Sequence, residues 1–237
     1  MSAAEMESQQ LRIVDVTDER APLARRAISL IQDAIWDVHP TRFLLAELEE
    51  SRRGEAKGGR YHLLAVGDGD SQTPVAAAAG AYLADVNAGF VAYLAVHEDH
   101  RSGGLGQRLR ERLVDAFRHE ALATHGEDLS AVLGEVESDS PWLRRLVQSG
   151  RAVPFDTPYF HPWMSRGSEG HYTLYREPVA DPRRVLPAHE IAELIEAVWR
   201  RAYRVRDPYR SEIFRYMMHR LHERAEEEDL SEAGVPA

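Results

Sequence analysis

One segment constrains this chain more than any other: Tyr93–Phe117, YLAVHEDHRSGGLGQRLRERLVDAF. An apolar, β-prone run with Val91, Tyr93, Leu94 and Val96 ends in a polar corner. Arg101-Ser102-Gly103-Gly104-Leu105-Gly106 follows, and then a helical pattern with Leu105, Leu109, Leu113 and Phe117 on one stripe. Strand, glycine turn and helix leave backbone N–H groups without partners at the helix N-terminus. Those groups, with the positive end of the helix dipole, bind phosphate. Glycines permit the unusual backbone angles of the turn and a close approach of the ligand to the main chain. Arg101 adds a cation beside the anion site. Two rival readings of the glycines fail. A dinucleotide fingerprint needs a third glycine where Leu109 stands, and a Walker loop needs Gly-Lys-Ser/Thr, whereas Lys57 is the only lysine.

The segment resembles the pyrophosphate-binding motif of the GNAT acyltransferase superfamily. That motif is Arg or Gln, two residues, Gly, one residue, then Gly or Ala; Arg101, Gly104 and Gly106 meet it, after a strand ending in Leu94-Ala95-Val96. The resemblance implies acetyl-CoA as cosubstrate, its pyrophosphate on the loop and its pantetheine arm along the strand. The coenzyme-binding residues it implies are Leu94, Ala95, Val96, Arg101, Ser102, Gly103, Gly104, Leu105, Gly106 and Gln107. The match is tight over the loop and extends more loosely, through element order, over residues 11–178.

The rest of the chain reads as a mixed α+β domain. Leu11–Thr17 alternates as a strand; Ala21–Trp36 carries Leu23, Ala27, Ile28, Ile31 and Ile35 at helical spacing. Pro40 interrupts, and Thr41 is placed to cap a helix over Arg42–Arg53. Tyr61–Val66 and Val75–Leu83 read as strands joined by a hairpin turn at Gly67-Asp68-Gly69-Asp70, and Ala88–Val96 as the next strand. After the helix Leu105–Leu122 come a strand at Leu129–Glu137 and a helix from Ser140-Pro141 through Gln148, closed by Gly150. Val153–Phe160 and Tyr172–Tyr175 read as final strands. This order is similar to the GNAT fold, a mostly antiparallel sheet flanked by helices whose two central strands splay around the thioester. The expected acetyltransferase domain is residues 1–180. Residues 181–237 form a helical extension with an apolar stripe through Ile191, Leu194, Ile195, Val198 and Trp199. A second helix is expected from Asp207-Pro208, with Ile213, Phe214, Met217 and Leu221 on one side, and an acidic tail frayed from Ala225. The extension is expected to pack on the core; a lid over the acceptor or a homodimer contact stays open.

Composition narrows the function classes. The chain has 237 residues, 43% hydrophobic, enough for a substantial core. It has no cysteine, which excludes disulfides, thiolate metal sites and a Cys nucleophile. A net charge of −10 opposes nucleic-acid binding, and the longest apolar stretch, Pro74–Ala84, is too short to span a bilayer. Met1–Gln10 is polar and acidic, so a cytoplasmic protein is expected. The histidines lack paired spacing, so no metal site is expected.

Acyl transfer to an amine requires that the amine lose a proton, the oxyanion be stabilised and the leaving thiolate be protonated. The resemblance implies an oxyanion donor from the main chain of Leu94–Val96. It also implies a tyrosine as thiolate acid four residues before Gly150, but Leu146 stands there. Glu135 and Glu137 lie two apart on one strand and share a side. Either a general base, a grip on a cationic acceptor or a solvated face fits them. Pro154–Trp163, PFDTPYFHPW, is a rigid aromatic segment suited to a pocket wall. Tyr159 is the first choice for thiolate acid and His161 the second; simple core packing is the alternative for each. The expected catalytic residues are Glu135, Glu137 and Tyr159. The expected activity is direct N-acetyl transfer from acetyl-CoA to a small-molecule amine. A catalytically silent acyl-CoA sensor on the same fold is the alternative, kept open by Leu146; a toxin acting on aminoacyl-tRNA is disfavoured by the acidic charge.

Overall fold

The structure, a computed structural model, describes residues 11–67, 73–101, 103–168 and 170–232. Ser102 and residues 68–70 of the expected hairpin turn fall outside them. In chain order the elements are β1 (Arg12–Asp15), α1 (Pro22–Ala34), α2 (Thr41–Arg53), β2 (Tyr61–Gly67), β3 (Ala76–Leu83), β4 (Ala88–Val96), α3 (Leu105–His125), β5 (Ala131–Glu137), α4 (Pro141–Gln148), β6 (Val153–Pro154), β7 (Tyr172–Pro178), α5 (Ala188–Ala197) and α6 (Glu212–Glu232). The strands follow the order β1-β2-β3-β4-β5-β7-β6 in a mixed, mostly antiparallel sheet flanked by helices. The chain forms two compact units. One comprises Met1–Tyr82 with Val91–Glu120, the other Leu83–Phe90 with Ala121–Ala237.

In the first unit β1, β2 and β3 pair antiparallel, with Arg12 opposite Gly67 and Tyr61 opposite Ala81. Every residue of β3, AAAAGAYL, is buried, as is β2 up to Val66. Such continuous burial marks strands covered on both faces. Helices α1 and α2 lie against β2. Helix α1 turns Ala24, Ala27, Ile28 and Ile31 inward, the spacing of a single helical face. Helix α2 ends at Gly54, whose φ of 70° is the left-handed conformation that closes a helix. Thr41 does not cap α2 as expected. The N-cap is Pro40, and the Thr41 hydroxyl donates to Gln32 Oε1 at 3.1 Å. Helix α3 packs Phe117 edge-on against His62 of β2, ring centres 5.9 Å apart.

In the second unit β5 pairs antiparallel with β7, from Ala131 opposite Pro178 to Glu137 opposite Tyr172. The expected strand Val153–Phe160 shrinks to Val153–Pro154 on the far side of β7. Pro154, Pro158 and Pro162 each lack the N–H that a ladder needs, so the segment leaves the sheet. One close approach stands out. Gly134 of β5 faces Tyr175 of β7, and a Cβ on Gly134 would collide with the Tyr175 ring and hydroxyl. The tyrosine lies across the bare backbone of β5. It packs with Leu143, Leu146 and Ala152 and accepts a hydrogen bond from Trp142 Nε1 at 3.4 Å. Gly134→Ala therefore overpacks this cluster. It should lower stability by about 1–3 kcal/mol, read as a lowered midpoint in thermal or urea unfolding. A combined Gly134→Ala/Tyr175→Ala variant should recover part of the added strain; no destabilisation by Gly134→Ala alone would contradict this packing.

The C-terminal helices belong to this same unit. Buried Arg176 of β7 reaches past the expected boundary at residue 180. It donates to the Asp181 carboxylate at 2.7 Å, to the Asp181 carbonyl at 2.9 Å and to the Arg183 carbonyl. Burial pulls the Arg176 pKa below the usual arginine value, and the Asp181 charge opposes that pull. Helix α5 continues into a π-helical turn, Val198–Ala202, that buries Trp199 against Phe214 of α6 at 4.9 Å. Asp207-Pro208 begins only a short 3-10 turn, and α6 starts at Glu212. The helix runs on to Glu232. Glu228 anchors it, accepting from Arg224 at 2.7 Å and from the Ala188 N–H at the start of α5 at 3.1 Å. Among the described residues no helix is long and apolar enough to cross a membrane.

Candidate active site

The glycine loop sits in the first unit, between the end of β4 and α3. Tyr93 and Ala95 are buried, while Leu94 and Val96 are half-buried on the opposite face of the strand. A 3-10 turn over Glu98–His100 follows, capped by His97, whose Nδ1 accepts from the Asp99 N–H at 3.4 Å. The two histidines beside the loop thus build the turn. Arg101 is exposed, and its Nε donates to the Val96 carbonyl at 3.2 Å, tying the base of the loop to the strand. Gly104 has φ of +73°, a conformation that side chains other than glycine rarely adopt. Cβ atoms added at Gly103 or Gly104 would meet nothing within 4 Å. Open space, exposed main chain and a following helix of 21 residues are what a pyrophosphate needs. Gly106 has a different task. A Cβ there would lie 3.3 Å from Leu94 Cδ2 and 3.4 Å from Val96 Cγ2, so its smallness brings α3 close to β4. Leu105 is buried beneath the loop and can offer only its main chain. The Gln107 side chain is engaged along the helix, donating to Glu111 Oε1 at 2.8 Å.

The second unit brings two of the three expected catalytic residues, Glu135 and Tyr159, together at one carboxylate. Tyr159, 2% exposed, donates its hydroxyl to Glu135 Oε2 at 2.7 Å. Tyr203, 8% exposed, donates to the same oxygen at 2.5 Å. Both lengths suit hydrogen bonds to a charged acceptor. The Tyr203 ring stands edge-on to His161 at 4.6 Å and to Phe90 at 5.9 Å. His161 is itself buried, its Nδ1 accepting from the Trp163 N–H at 3.3 Å. Burial pushes the Tyr159 hydroxyl well above the usual tyrosine value. The Glu135 charge and hydrogen bond push the same way, with Tyr203 opposing. The Tyr159 hydroxyl is directed at Glu135.

Glu137 is not drawn into this cluster: it is exposed at the end of β5, opposite Tyr172. Leu146 is buried against Tyr175, so its place holds an apolar contact. Tyr203 is the residue that sequence reasoning missed. Its signal was available, since Ile195, Trp199 and Tyr203 recur at four-residue steps along a stripe recognised as apolar. A tyrosine on such a stripe reads as packing. Elsewhere in the first unit, a cavity of about 420 Å³ lies among Asp15, Arg52, Arg60, His62, Asp115 and Glu120. Arg52 is paired with Glu19 and Arg60 with Glu120, and the cavity includes no residue of the glycine loop.

Residues 28–132 match the model of the acetyltransferase (GNAT) family. Among curated proteins, none matches the sequence. Among solved structures, the chain is similar in fold to one in the NatC complex bound to Gag peptide and CoA, at 15% identity and a TM-score of 0.51, covering 72% of this chain and 99% of that one. The ribosomal-protein-S18-alanine N-acetyltransferase from Escherichia coli is 14% identical with a TM-score of 0.51, covering 75% of this chain and 99% of that one. An acetyltransferase from Streptococcus agalactiae is 12% identical with a TM-score of 0.50, covering 72% and 99% respectively.

Proposed function

We propose that this chain, whose residues 28–132 match the acetyltransferase (GNAT) family model, transfers the acetyl group of acetyl-CoA directly to the amine of a small molecule. The family uses acetyl-CoA, which supplies the acetyl group as a thioester. The Arg101–Gly106 loop receives its pyrophosphate and β4 lies along its arm. The observation that carries the reading is the carboxylate of Glu135, held by two tyrosine hydroxyls. Glu135 takes the proton that the amine loses as the new N–C bond forms and the C–S bond breaks, and the departing CoA thiolate takes a proton from solvent. Tyr159, expected as the thiolate acid, directs its hydroxyl at Glu135 and acts through that carboxylate. Glu137, exposed, is given no role.

A small acceptor is favoured over a protein by the segment between β6 and β7. Tyr159, Phe160 and His161 are buried there, and α6 holds the segment down. The Phe160 N–H contacts Met217 Sδ at 3.3 Å, and Arg224 donates to the Asp156 carbonyl at 3.2 Å. A panel of small amines and of peptides with free N-termini, assayed for CoA release from acetyl-CoA, tests this. Turnover of small amines and not of peptides is expected. Turnover of peptides alone would overturn the acceptor class. Binding of acetyl-CoA with no turnover of any amine would favour the silent sensor, the reading that buried, apolar Leu146 supports.

A further inference from the structure

We infer that Tyr203 is a positioning residue for Glu135, which makes the C-terminal region beyond Ala180 a working part of the acceptor site. The inference rests on the reading of Glu135 as proton acceptor. Its grounds are geometric. Tyr203 and Tyr159 approach one carboxylate oxygen from distant parts of the chain, at 2.5 and 2.7 Å. Two donors on a single oxygen leave a carboxylate little freedom to swing. The Tyr203 ring is itself fixed, with His161 and Phe90 edge-on to it.

The backbone is shaped around this placement. The π-helical turn brings the Tyr203 N–H to the Val198 carbonyl at 3.2 Å, and the Val205 N–H returns to the Trp199 carbonyl at 3.0 Å. Between them Arg204 takes φ of 55°, a left-handed conformation unusual for a non-glycine residue. Backbone strain of this kind persists where the surroundings over-determine it. Rare π turns likewise gather at functional sites. Trp199 and Phe214, both fully buried, anchor the turn from behind. The matched family segment ends at residue 132, so neither Glu135 nor its two tyrosines lies within it.

Tyr203→Phe keeps the ring and its packing and removes only the hydroxyl. In the full chain, with acetyl-CoA and an amine turned over in the panel, kcat should fall roughly 10- to 100-fold, the range of one hydrogen bond to a charged group. Acetyl-CoA affinity by calorimetry and the melting temperature should change little by comparison. The acidic limb of the kcat/KM profile should move to higher pH. A donor that stabilises the charged carboxylate has gone, so protonation of Glu135 sets in earlier as pH falls. Tyr159→Phe should move the limb the same way. Combined with Glu135→Gln, Tyr203→Phe should add little further loss, because the tyrosine acts only through that carboxylate. A Tyr203→Phe enzyme with unchanged kcat and pH profile overturns the inference, as does a loss that adds fully to that of Glu135→Gln. Unchanged turnover in Glu135→Gln itself would instead remove the reading on which the inference rests, whatever Tyr203→Phe does.

Discussion

Gly104→Val is expected to abolish acetyl-CoA binding while the protein stays folded. Two physical effects act together. Gly104 sits at φ of +73°, where a β-branched side chain is strongly disfavoured, so the loop must shift or carry strain. Its Cβ direction also points into open space, with no protein atom within 4 Å. The valine would thus meet no neighbour in the protein and would stand where the phosphate has to approach the main chain. Calorimetry with acetyl-CoA reads the loss directly, and circular dichroism shows that the fold persists. Gly106→Ala is the matched control. Its Cβ meets Leu94 and Val96 at 3.3 and 3.4 Å, a contact that small side-chain movements relieve. Affinity close to the wild type in the Gly104→Val protein would refute the loop as the pyrophosphate site.

Glu135→Gln should lower kcat by about 10²–10⁴-fold, the contribution of a general base, with little effect on acetyl-CoA affinity. The substitution preserves size and still accepts both tyrosine hydroxyls through its amide oxygen, so the fold should tolerate it. What disappears is the capacity to take a proton. Glu137→Gln should leave turnover near the wild-type rate, since that carboxylate is exposed at the strand end. Steady-state CoA release separates the two variants. Equal and small effects from both would show that water, or the amine's own acidity, does the work.

Local rules made most of the fold legible. Helix α1, strand β4 and the start of α3 announce themselves through spacing and glycine, and the observed β4 has the expected bounds of Ala88–Val96. The glycine loop proposed to hold the coenzyme is legible for the same reason, because the chemistry proposed for it comes from main chain placed by a short motif. The proposed acceptor side is legible only in part. The sequence points to Glu135 and Tyr159 separately, and the hydrogen bond that joins them depends on how the irregular segment after β6 folds back. No periodicity encodes that path; three prolines show where the sheet stops but not where the chain goes next. Tyr203 depends on contacts across 68 residues of sequence. The expected boundary at residue 180 lies where the expected strands run out. Arg176 crosses it, since a buried guanidinium needs acceptors and finds them in the linker.

The π-helical turn at Val198–Ala202 sets a rule for comparing this chain with others. Such a turn amounts to one extra residue in an otherwise regular helix. Deleting any one residue from it would restore the ordinary helical step and rotate everything beyond by about 100°. The tyrosine would remain in the sequence yet face away from Glu135. An alignment that counts a tyrosine in this stretch as equivalent, without counting the residues between it and the start of α5, would therefore misassign its role. A length change of one in this helix carries more information about acceptor chemistry than many substitutions along it.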